Sequence, residues 1–369
     1  MSQKIRVGLL FGGKSAEHEV SLQSAKNVFE AIDQDKYEVT LIGIDKTGRW
    51  FKQEAAAYLL EADDPKRIRL NVSSSQIHLD PAGGGSPLVV SKVQPAASGP
   101  IDVVFPVLHG PFGEDGTVQG LLKMADVPFV GASVLGSAVG MDKDVMKRLL
   151  REAELPIPRF LVFYRRQRDS IRFAKVAEEL GLPFFVKPAN LGSSVGISKV
   201  HNEHEFFPAL DEALRFDHKA VIEEAIVGRE IECAVLGNDD PAASALGEVV
   251  PCREFYSYEA KYLDENGALL KIPAELDAAT ARRIQDLAVQ TFRVLCCEGM
   301  ARVDFFLKAS GEVIVNEINT LPGFTRISMY PRLWEASGLP YPALIDRLIE
   351  LALERSKRDR SLKTRYLES

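Results

Sequence analysis

The chain has 369 residues, a length that predicts two or three domains of ordinary size. Hydrophobic residues make up 46% of it and charged residues 26%, as in globular proteins, and the formal net charge of −7 argues against a general nucleic-acid binder. No apolar run approaches the roughly 18 residues that a membrane-spanning helix needs, so we expect neither nucleic acid nor membrane as a partner. The four cysteines form no CxxC or disulfide-like spacing, which predicts a cytoplasmic location.

Strand and helix patterns alternate over residues 1–140, and this alternation predicts an N-terminal α/β domain built on a parallel sheet. The predicted strands are Ile5–Leu10, Val39–Ile44 and Val103–Leu108, and the predicted helices are Val20–Ile32 and Val118–Met124. Between Ser73 and Pro100 the composition shifts to Ser, Gly, Pro and Ala, which indicates a surface insertion without catalytic content.

Polar segments follow two of these strands, at the ends where a parallel sheet builds its binding sites. Glu17 and Ser21 lie in a segment that opens a helix and lacks the Gly-x-Gly-x-x-Gly of dinucleotide binders, so NAD is not indicated. The preference of a first helical turn for acids and hydroxyls also explains both residues. His109 directly follows the third strand, where a binding role and simple packing are both open.

A second domain is predicted over residues 141–227, beginning with a charged helix, Asp142–Glu154. Within it, a strand leads through Lys187 into the loop Gly192–Gly196 and a further strand. Glycines let backbone N–H groups wrap an anion, serine hydroxyls add donors, and a lysine can reach the same phosphates. The alternative for the loop alone is a plain hairpin turn.

The junction of the second and third domains carries a further acidic segment that includes Glu223, Ile226 and Glu230. A strand passing between two domains can offer backbone groups to a purine, and a carboxylate can accept from ribose hydroxyls. An acidic linker is the alternative. Farther on, the polar stretch around Lys261 and Tyr262 is suited either to closing over a reaction or to an ordinary exposed loop.

The third domain is predicted over residues 228–369 as strands and helices around one hairpin. Its predicted elements include the strand Ile231–Leu236, a helix Ala278–Cys296 whose end packs Cys296 and Cys297 in the core, and a terminal helix Tyr341–Glu354 with a frayed basic tail.

The hairpin has two arms with period-two alternation around a turn near Ser310-Gly311. An even-numbered loop places Asp304 opposite Glu317 and Arg302 opposite Asn319, with Phe306 and Val315 on the same face. Opposed carboxylates repel unless a cation lies between them, and an Asp, a Glu and an Asn offer the oxygen ligands that magnesium prefers. We favour this metal site over the alternative, a solvated outer face.

Six motifs in this chain occur in the order in which the D-alanine–D-alanine ligase family of the ATP-grasp superfamily has them. They are Gly-Gly-Lys-Ser-Ala-Glu-His-Glu-Val-Ser, His-Gly-x-x-Gly-Glu-Asp-Gly, Met-Asp-Lys-Asp, Val-Lys-Pro-Ala-Asn-x-Gly-Ser-Ser-Val-Gly, Glu-Ala-Lys-Tyr and Asn-Glu-Ile-Asn-Thr-Leu-Pro-Gly. The chain resembles this family over nearly its whole length. The resemblance implies an ATP-grasp fold, mixed α/β and α+β, with a Rossmann-like N-terminal domain and ATP between the other two domains.

The resemblance also implies residue roles. ATP would bind Lys143, Lys187, Ser194, Glu223, Ile226, Glu230, Lys261 and Phe306, with Glu223 and Ile226 at the adenine, Glu230 at the ribose and Lys261 at the γ-phosphate. Two magnesium ions, which manganese can replace, would bind Asp304, Asn319 and a bridging Glu317. D-Alanine would bind Glu17, His109, Arg302, Gly323 and Ser328, and Glu17, Ser193 and Tyr262 would help close the loop after Lys261.

The implied reaction is the ATP-dependent joining of two D-alanine molecules through a D-alanyl phosphate, for peptidoglycan synthesis, by a homodimer. Tyr262 favours D-alanine over D-lactate as the second substrate, whereas Met329, where the family often has Leu, leaves the second site less defined. A ligase for D-lactate or D-serine is therefore one alternative. A non-catalytic ATP-grasp protein is another, but Arg302 and the metal ligands are all retained.

Overall fold

The computed structural model describes residues 3–55, 58–61, 64, 67–72, 76–79, 88–90, 101–192, 195–251 and 268–363. Its strands form three large sheets and one small two-stranded sheet. None of the described helices has the length and apolar character needed to cross a bilayer.

The first sheet has the strand order β7-β6-β3-β2-β1-β8, in which β2, β1 and β8 are parallel and the remaining pairs are antiparallel. The strands are β1 Ile5–Gly12, β2 Tyr37–Ile44, β3 Trp50–Gln53, β4 Leu59–Leu60, β5 Arg69–Leu70, β6 Gln76–Leu79, β7 Leu88–Val90 and β8 Val103–Pro106, with β4 and β5 forming the small sheet. The helices are α1 His18–Ala31, α2 Thr117–Met124 and α3 Val134–Met141. The predicted parallel sheet is thus confirmed for β2, β1 and β8 at one end of this sheet, and the segment predicted as an insertion adds β6 and β7 to the opposite edge.

The second sheet is antiparallel, with the order β11-β10-β12-β9. Its elements are α4 Lys143–Glu152, β9 Phe160–Tyr164, a 3₁₀ helix Arg165–Ser170, α5 Phe173–Leu180, β10 Phe184–Pro188, β11 Ser198–Val200, α6 Glu203–Phe216 and β12 Lys219–Glu224. Phe184 and Phe206 meet edge to face in its core, with ring centroids 5.7 Å apart. This packing fixes β10, which carries Lys187, against the helix behind it.

The third sheet is also antiparallel, with the order β15-β14-β13-β16-β17. Its elements are β13 Arg229–Gly237, β14 Ala242–Pro251, β15 Ala268–Lys271, α7 Ala278–Val294, β16 Gly299–Leu307, β17 Val313–Asn319, α8 Met329–Ala336 and α9 Tyr341–Arg360. One face of β13, β16 and β17 packs on α7 through a shared apolar cluster. The opposite face is therefore available for the polar side chains of the hairpin.

The predicted frayed C-terminal tail is wrong for residues 355–360, which continue α9. Arg355 is buried and donates to the carbonyl oxygens of Gly131 and Phe129, both at 2.6 Å. Arg358 and Arg360 form ion pairs with residues of earlier segments. These tertiary bonds hold a helical turn that basic composition alone does not favour. Near the end of α7, Cys297 is buried as predicted, whereas Cys296 is exposed.

Candidate active site

The hairpin β16–β17 has the predicted register at its polar end. Arg302 pairs with Asn319 and Asp304 pairs with Glu317 across the two strands. Since residues two apart in a strand share a face, these four side chains lie on one face of the sheet. The predicted pairing of the two carboxylates is confirmed.

A β-bulge lies next to this register and changes which apolar residues accompany it. Beyond Asp304 the pairing shifts, so that Phe305 opposes Val315 and Phe306 opposes Ile314. The extra residue reverses the alternation of β17, because each one-residue slip moves a side chain to the other face. The prediction that Val315 shares the acidic face is wrong: Val315 is fully buried in the core, and Ile314 faces Phe306 instead. The loop is five residues, 308–312, and not even-numbered.

The Arg302 guanidinium is held by carboxylates on two strands. Its Nε and Nη2 donate to the two oxygens of Asp304, each at 2.7 Å. Its Nε also lies 2.9 Å from Glu232 Oε2 on the neighbouring strand. Burial lowers the pKa of Arg302, but Asp304 and Glu232 outweigh it and hold the pKa well above its ordinary value. The arginine is therefore charged and oriented within the site.

The oxygen atoms of Asp304, Glu317 and Asn319 are suited to magnesium that is shared with a ligand. Among the residues described, no group of three or more His, Cys, Asp or Glu side chains is placed to hold a metal ion. Magnesium usually keeps several waters and takes one or two protein carboxylates together with substrate phosphates. Two carboxylates and an amide on one strand pair fit that pattern better than a closed protein cage.

Lys143 connects the hairpin to the glycine-serine loop. Its Nζ donates to the Leu191 carbonyl at 2.5 Å and lies 3.8 Å from Glu317 Oε2. The lysine is positioned by the start of α4, where the Asp142 side chain accepts from the backbone N–H groups of Asp144 and Val145. A buried cation thus lies between a predicted phosphate loop and a predicted metal ligand.

A second lysine on α4, Lys147, was not predicted as a site residue, because its sequence position is that of an ordinary charged residue on an amphipathic helix. It is fully buried, with its Nζ 3.4 Å from Glu223 Oε1 and 3.3 Å from the carbonyl oxygen of Asn316 in the bulge. Lys187 donates to the other Glu223 oxygen at 2.8 Å. Burial would raise the pKa of Glu223, but Lys147 and Lys187 lower it to about 2. Glu223 is therefore an anion that joins both lysines.

The remaining residues predicted at the nucleotide lie where β12 leads into β13. Ile226 is half-buried in the connection between these strands. Glu230 opposes Phe306 across β13 and β16, two positions along the strands from the pair Glu232–Asp304. Glu230 therefore lies on the same face of the third sheet as the polar side chains of the hairpin.

The N-terminal domain adds Glu17 and His109, which are both buried. A Cβ built on Gly110, whose φ is +75°, would lie 3.0 Å from Glu17 Oε2, so a larger residue there would be strained and would crowd this carboxylate. His109 bonds to the Leu321 carbonyl at 3.1 Å and the Ser24 hydroxyl at 3.2 Å. Burial lowers the pKa of His109, which keeps the imidazole neutral at pH 7.

Gly323 and Ser328 lie together after the hairpin. A Cβ on Gly323 would approach Ser328 Oγ to 3.1 Å, and that oxygen is also bonded to Thr325 N at 3.1 Å and Thr325 Oγ1 at 2.8 Å. Met329 is buried, and its sulfur lies 2.6 Å from where a Cβ on Gly247 would be. The Met329 side chain therefore packs into the core against β14.

Four predicted site residues lie outside the described residues: Ser193, Ser194, Lys261 and Tyr262. Their roles stay predictions. Gly192, directly before the two serines, is described, and a Cβ there would lie 3.7 Å from Glu114 Oε1 and 3.9 Å from Glu17 Oε2. The start of the glycine-serine loop thus borders the N-terminal carboxylates.

Glu114, in the motif His-Gly-x-x-Gly-Glu-Asp-Gly, is a further buried carboxylate for which the sequence predicted no role of its own. Its Oε1 accepts from Gly110 N at 2.8 Å. Burial first, and then the charge of Glu17, raise the pKa of Glu114 to about 8. Its neutral form therefore predominates at pH 7 in the free protein.

Glu114→Gln is expected to raise the melting temperature of the ligand-free protein above pH 8 and to leave it nearly unchanged near pH 4. Because the folded-state pKa lies above the ordinary value near 4.5, wild-type stability declines as pH rises from about 4.5 to about 8, where the buried carboxyl ionises. Thermal unfolding between pH 4 and 9 measures this, with Glu178→Gln on the exposed side of α5 as the control. Parallel pH profiles for wild type and Glu114→Gln would contradict the assignment.

Two protein-family models match this chain. Residues 6–132 match "D-ala D-ala ligase N-terminus" and residues 149–350 match "D-ala D-ala ligase C-terminus". The chain is 58% identical over 361 residues to the D-alanine–D-alanine ligase of Shouchella clausii, a match that covers 98% of each chain. It is 55% identical over 363 residues to D-alanine–D-alanine ligase A of Escherichia coli K12, covering 98% of this chain and 99% of that protein.

Solved structures of ligases also resemble this chain in fold. The D-alanine–D-alanine ligase of Coxiella burnetii superposes with a TM-score of 0.85 at 38% identity, over 97% of each chain. The VanG D-Ala:D-Ser ligase of Enterococcus faecalis superposes with a TM-score of 0.83 at 36% identity, over 95% of this chain and 100% of that one. The predicted fold class is confirmed by these neighbours.

Proposed function

Since this chain belongs to the D-alanine–D-alanine ligase family, we infer that it is an ATP-dependent enzyme that joins two D-alanine molecules into D-alanyl-D-alanine for peptidoglycan precursors. A free carboxylate is a poor electrophile, so the γ-phosphoryl group of ATP is first transferred to the carboxylate of one D-alanine, with ADP as the leaving group. The amine of the second D-alanine attacks the resulting acyl phosphate, and phosphate leaves. The observation that carries this function is the pairing of Asp304 with Glu317 beside a charged, oriented Arg302.

We propose that ATP lies between the second and third sheets. Its phosphates would bind Lys143 and Lys187 together with Ser194 and Lys261, and its nucleoside Glu223, Ile226, Glu230 and Phe306. In the free protein Lys187 is paired with Glu223, so on ATP binding Lys187 would have to leave Glu223 and pair with the phosphates. Lys147, on the other Glu223 oxygen, keeps that carboxylate compensated when Lys187 moves.

We propose that Asp304, Glu317 and Asn319 hold two magnesium ions, with Glu317 shared between them and manganese as a substitute. Bound metal would offset the negative charge on the transferring phosphoryl group. Glu317 lies opposite Asp304 and within 3.8 Å of Lys143, so it is the carboxylate best placed to serve both ions and the phosphates.

The D-alanine sites are proposed at the meeting of the N-terminal domain and the hairpin. Glu17 would bind the ammonium of the first D-alanine, with neutral His109 close by, and Gly323 and Ser328 would bind the carboxylate of the second. Arg302 would stabilise the tetrahedral oxyanion that forms when the amine attacks. Glu17, Ser193 and Tyr262 would help the loop after Lys261 close and keep water from the acyl phosphate.

The direct test is release of ADP and phosphate from ATP, measured with and without D-alanine and with and without magnesium. We expect release only when both are present, together with D-alanyl-D-alanine in equal amount. If the protein binds ATP but releases no phosphate with D-alanine, the proposed function is wrong.

A second candidate is a ligase for D-serine or D-lactate, and the similarity to a D-Ala:D-Ser ligase structure is the observation that favours it. Competition between D-alanine and either alternative, with mass analysis of the products, separates these functions. Predominant D-alanyl-D-alanine supports the first.

Tyr262→Phe is expected to admit D-lactate as the second substrate. Removing the phenolic hydroxyl breaks the hydrogen-bonded set proposed with Glu17 and Ser193 and relaxes selection for an amine nucleophile. Product analysis with D-alanine and D-lactate present together measures the change, and Tyr164→Phe, on the exposed end of β9, is the matched control. A Tyr262→Phe enzyme that makes only the dipeptide would refute this specificity role.

We also propose three domains, 1–140, 141–227 and 228–369, which agree with the three large sheets. The homodimer is proposed from the family resemblance and is tested by sedimentation in solution. The cytoplasmic location is proposed from the absence of disulfide-like cysteine spacing, and the use of ATP supports it.

A further inference from the structure

Three carboxylates lie in one row across the third sheet. Glu232 on β13 pairs with Asp304 on β16, which pairs in turn with Glu317 on β17. Directly opposed carboxylates on one face destabilise a sheet unless cations compensate them. Glu232 was not among the residues selected from the sequence, because its alignment with Asp304 depends on strands more than sixty residues apart in the chain.

Arg302 compensates two members of this row at once. Its Nε is 2.7 Å from Asp304 Oδ1 and 2.9 Å from Glu232 Oε2, and its Nη2 bonds to Asp304 Oδ2. The side chains of Arg302, Glu232 and Asp304 are each less than one-fifth exposed. The three groups therefore form one nearly buried cluster in which the guanidinium can be shared between two carboxylates.

In the proposed metal site, magnesium and Arg302 would compete for the Asp304 carboxylate. Magnesium would need Asp304 oxygens, and Arg302 uses both of them in the metal-free protein. A guanidinium that gives up Asp304 in a water-poor site needs another anionic acceptor, since an unpaired buried charge is costly. Glu232 already lies within hydrogen-bond distance of the same Nε.

We propose that Glu232 is a positioning residue that holds Arg302 at the oxyanion site when Asp304 binds metal. The proposal rests on the proposed function of Asp304 and Arg302. Glu232 itself would contact neither metal nor substrate and would act only through the guanidinium. Removing its charge would leave Arg302 on Asp304, which weakens metal binding and misplaces the arginine for the second chemical step.

The test is a double-mutant cycle on Mn²⁺ affinity, measured by electron paramagnetic resonance with ADP present and no reaction under way. Glu232→Gln is expected to lower Mn²⁺ affinity about 10-fold, the usual value of a hydrogen bond between charged groups. In an Arg302→Met background the same change is expected to have no effect, because no guanidinium competes for Asp304. An equal loss in both backgrounds would overturn the proposal and identify Glu232 as a direct or long-range metal partner.

Two further variants distinguish a failure of this proposal from a failure of the proposed function. Asp304→Asn should itself abolish tight Mn²⁺ binding, and if it does not, the metal site is wrong whatever Glu232 does. Glu248→Gln is the matched control, since Glu248 binds Arg229 on the same sheet with two 2.8 Å bonds and lies outside the row. It should leave Mn²⁺ affinity unchanged.

A second measurement applies if Arg302→Met does not fold. In Glu232→Gln, dipeptide formation is expected to fall about 10-fold, whereas D-alanine-dependent scrambling of ¹⁸O in ATP, which reports reversible acyl phosphate formation, is retained at saturating metal. Glu232→Asp, which keeps the charge, should recover part of the dipeptide rate. Equal losses of scrambling and dipeptide formation, without recovery, would overturn the positioning role.

Discussion

Glu317→Gln is expected to lower the turnover number about 10²- to 10³-fold at saturating ATP and D-alanine. The change keeps the shape of the side chain but removes the charge opposite Asp304 and near Lys143. A neutral amide cannot be shared between two magnesium ions as a carboxylate can, so the phosphoryl group loses charge compensation in its transition state. Initial rates across a magnesium titration measure the effect, and excess magnesium should restore only part of it.

The control for this prediction lies in the same hairpin. Glu312 is exposed in the turn and bonds to Lys308 at 2.9 Å, so Glu312→Gln removes the same charge from the same hairpin at a position away from the site. It should retain wild-type turnover. Near-normal turnover of Glu317→Gln would show that this carboxylate does not serve the metal ions.

Arg302→Lys is expected to lower dipeptide formation about 10²- to 10³-fold while retaining acyl phosphate formation. Lysine keeps the positive charge beside Asp304 but lacks the planar fork that now donates to both Asp304 oxygens, so the oxyanion loses an oriented donor. The two steps are measured separately, as dipeptide produced and as ¹⁸O scrambling in ATP that depends on D-alanine.

Arg229→Lys provides the comparison for this substitution. Arg229 forms a similar two-bond pair with Glu248 one strand away and has no proposed role in the reaction. It should leave both steps intact. If Arg302→Lys abolishes scrambling together with dipeptide formation, Arg302 acts in the phosphoryl transfer or supports the metal site, and its assignment to the second step is incorrect.

Local pattern was sufficient to predict the strands of the hairpin and the pairing of its carboxylates. Alternation with period two defines a strand face, and the turn residues place the two arms opposite each other. The bulge was not predictable in the same way. Its extra residue is held by contacts from other elements, namely a 2.8 Å bond from Val315 N to the Pro156 carbonyl and the Lys147 bond to Asn316. The predicted face of Val315 was therefore wrong, although the predicted pairing of Asp304 with Glu317 was confirmed.

Lys147 and Glu232 show why part of the site is invisible to local reasoning. Each has an ordinary place in its own element, one on a charged helix and the other on an alternating strand. Their roles appear only when β12, β13 and β16 are assembled, because their partners are distant in the chain.

The position of the bulge has a consequence for engineering this hairpin. Gly311, at the exposed tip, has a φ of +85°, and a Cβ there would meet no atom within 4 Å. The bulge lies between this tip and the polar end of the strands, and it is anchored by Pro156 and Lys147 rather than by the turn. A reporter peptide grafted at Ser310-Gly311 would therefore project into solvent without shifting the chemistry at the other end of the strands.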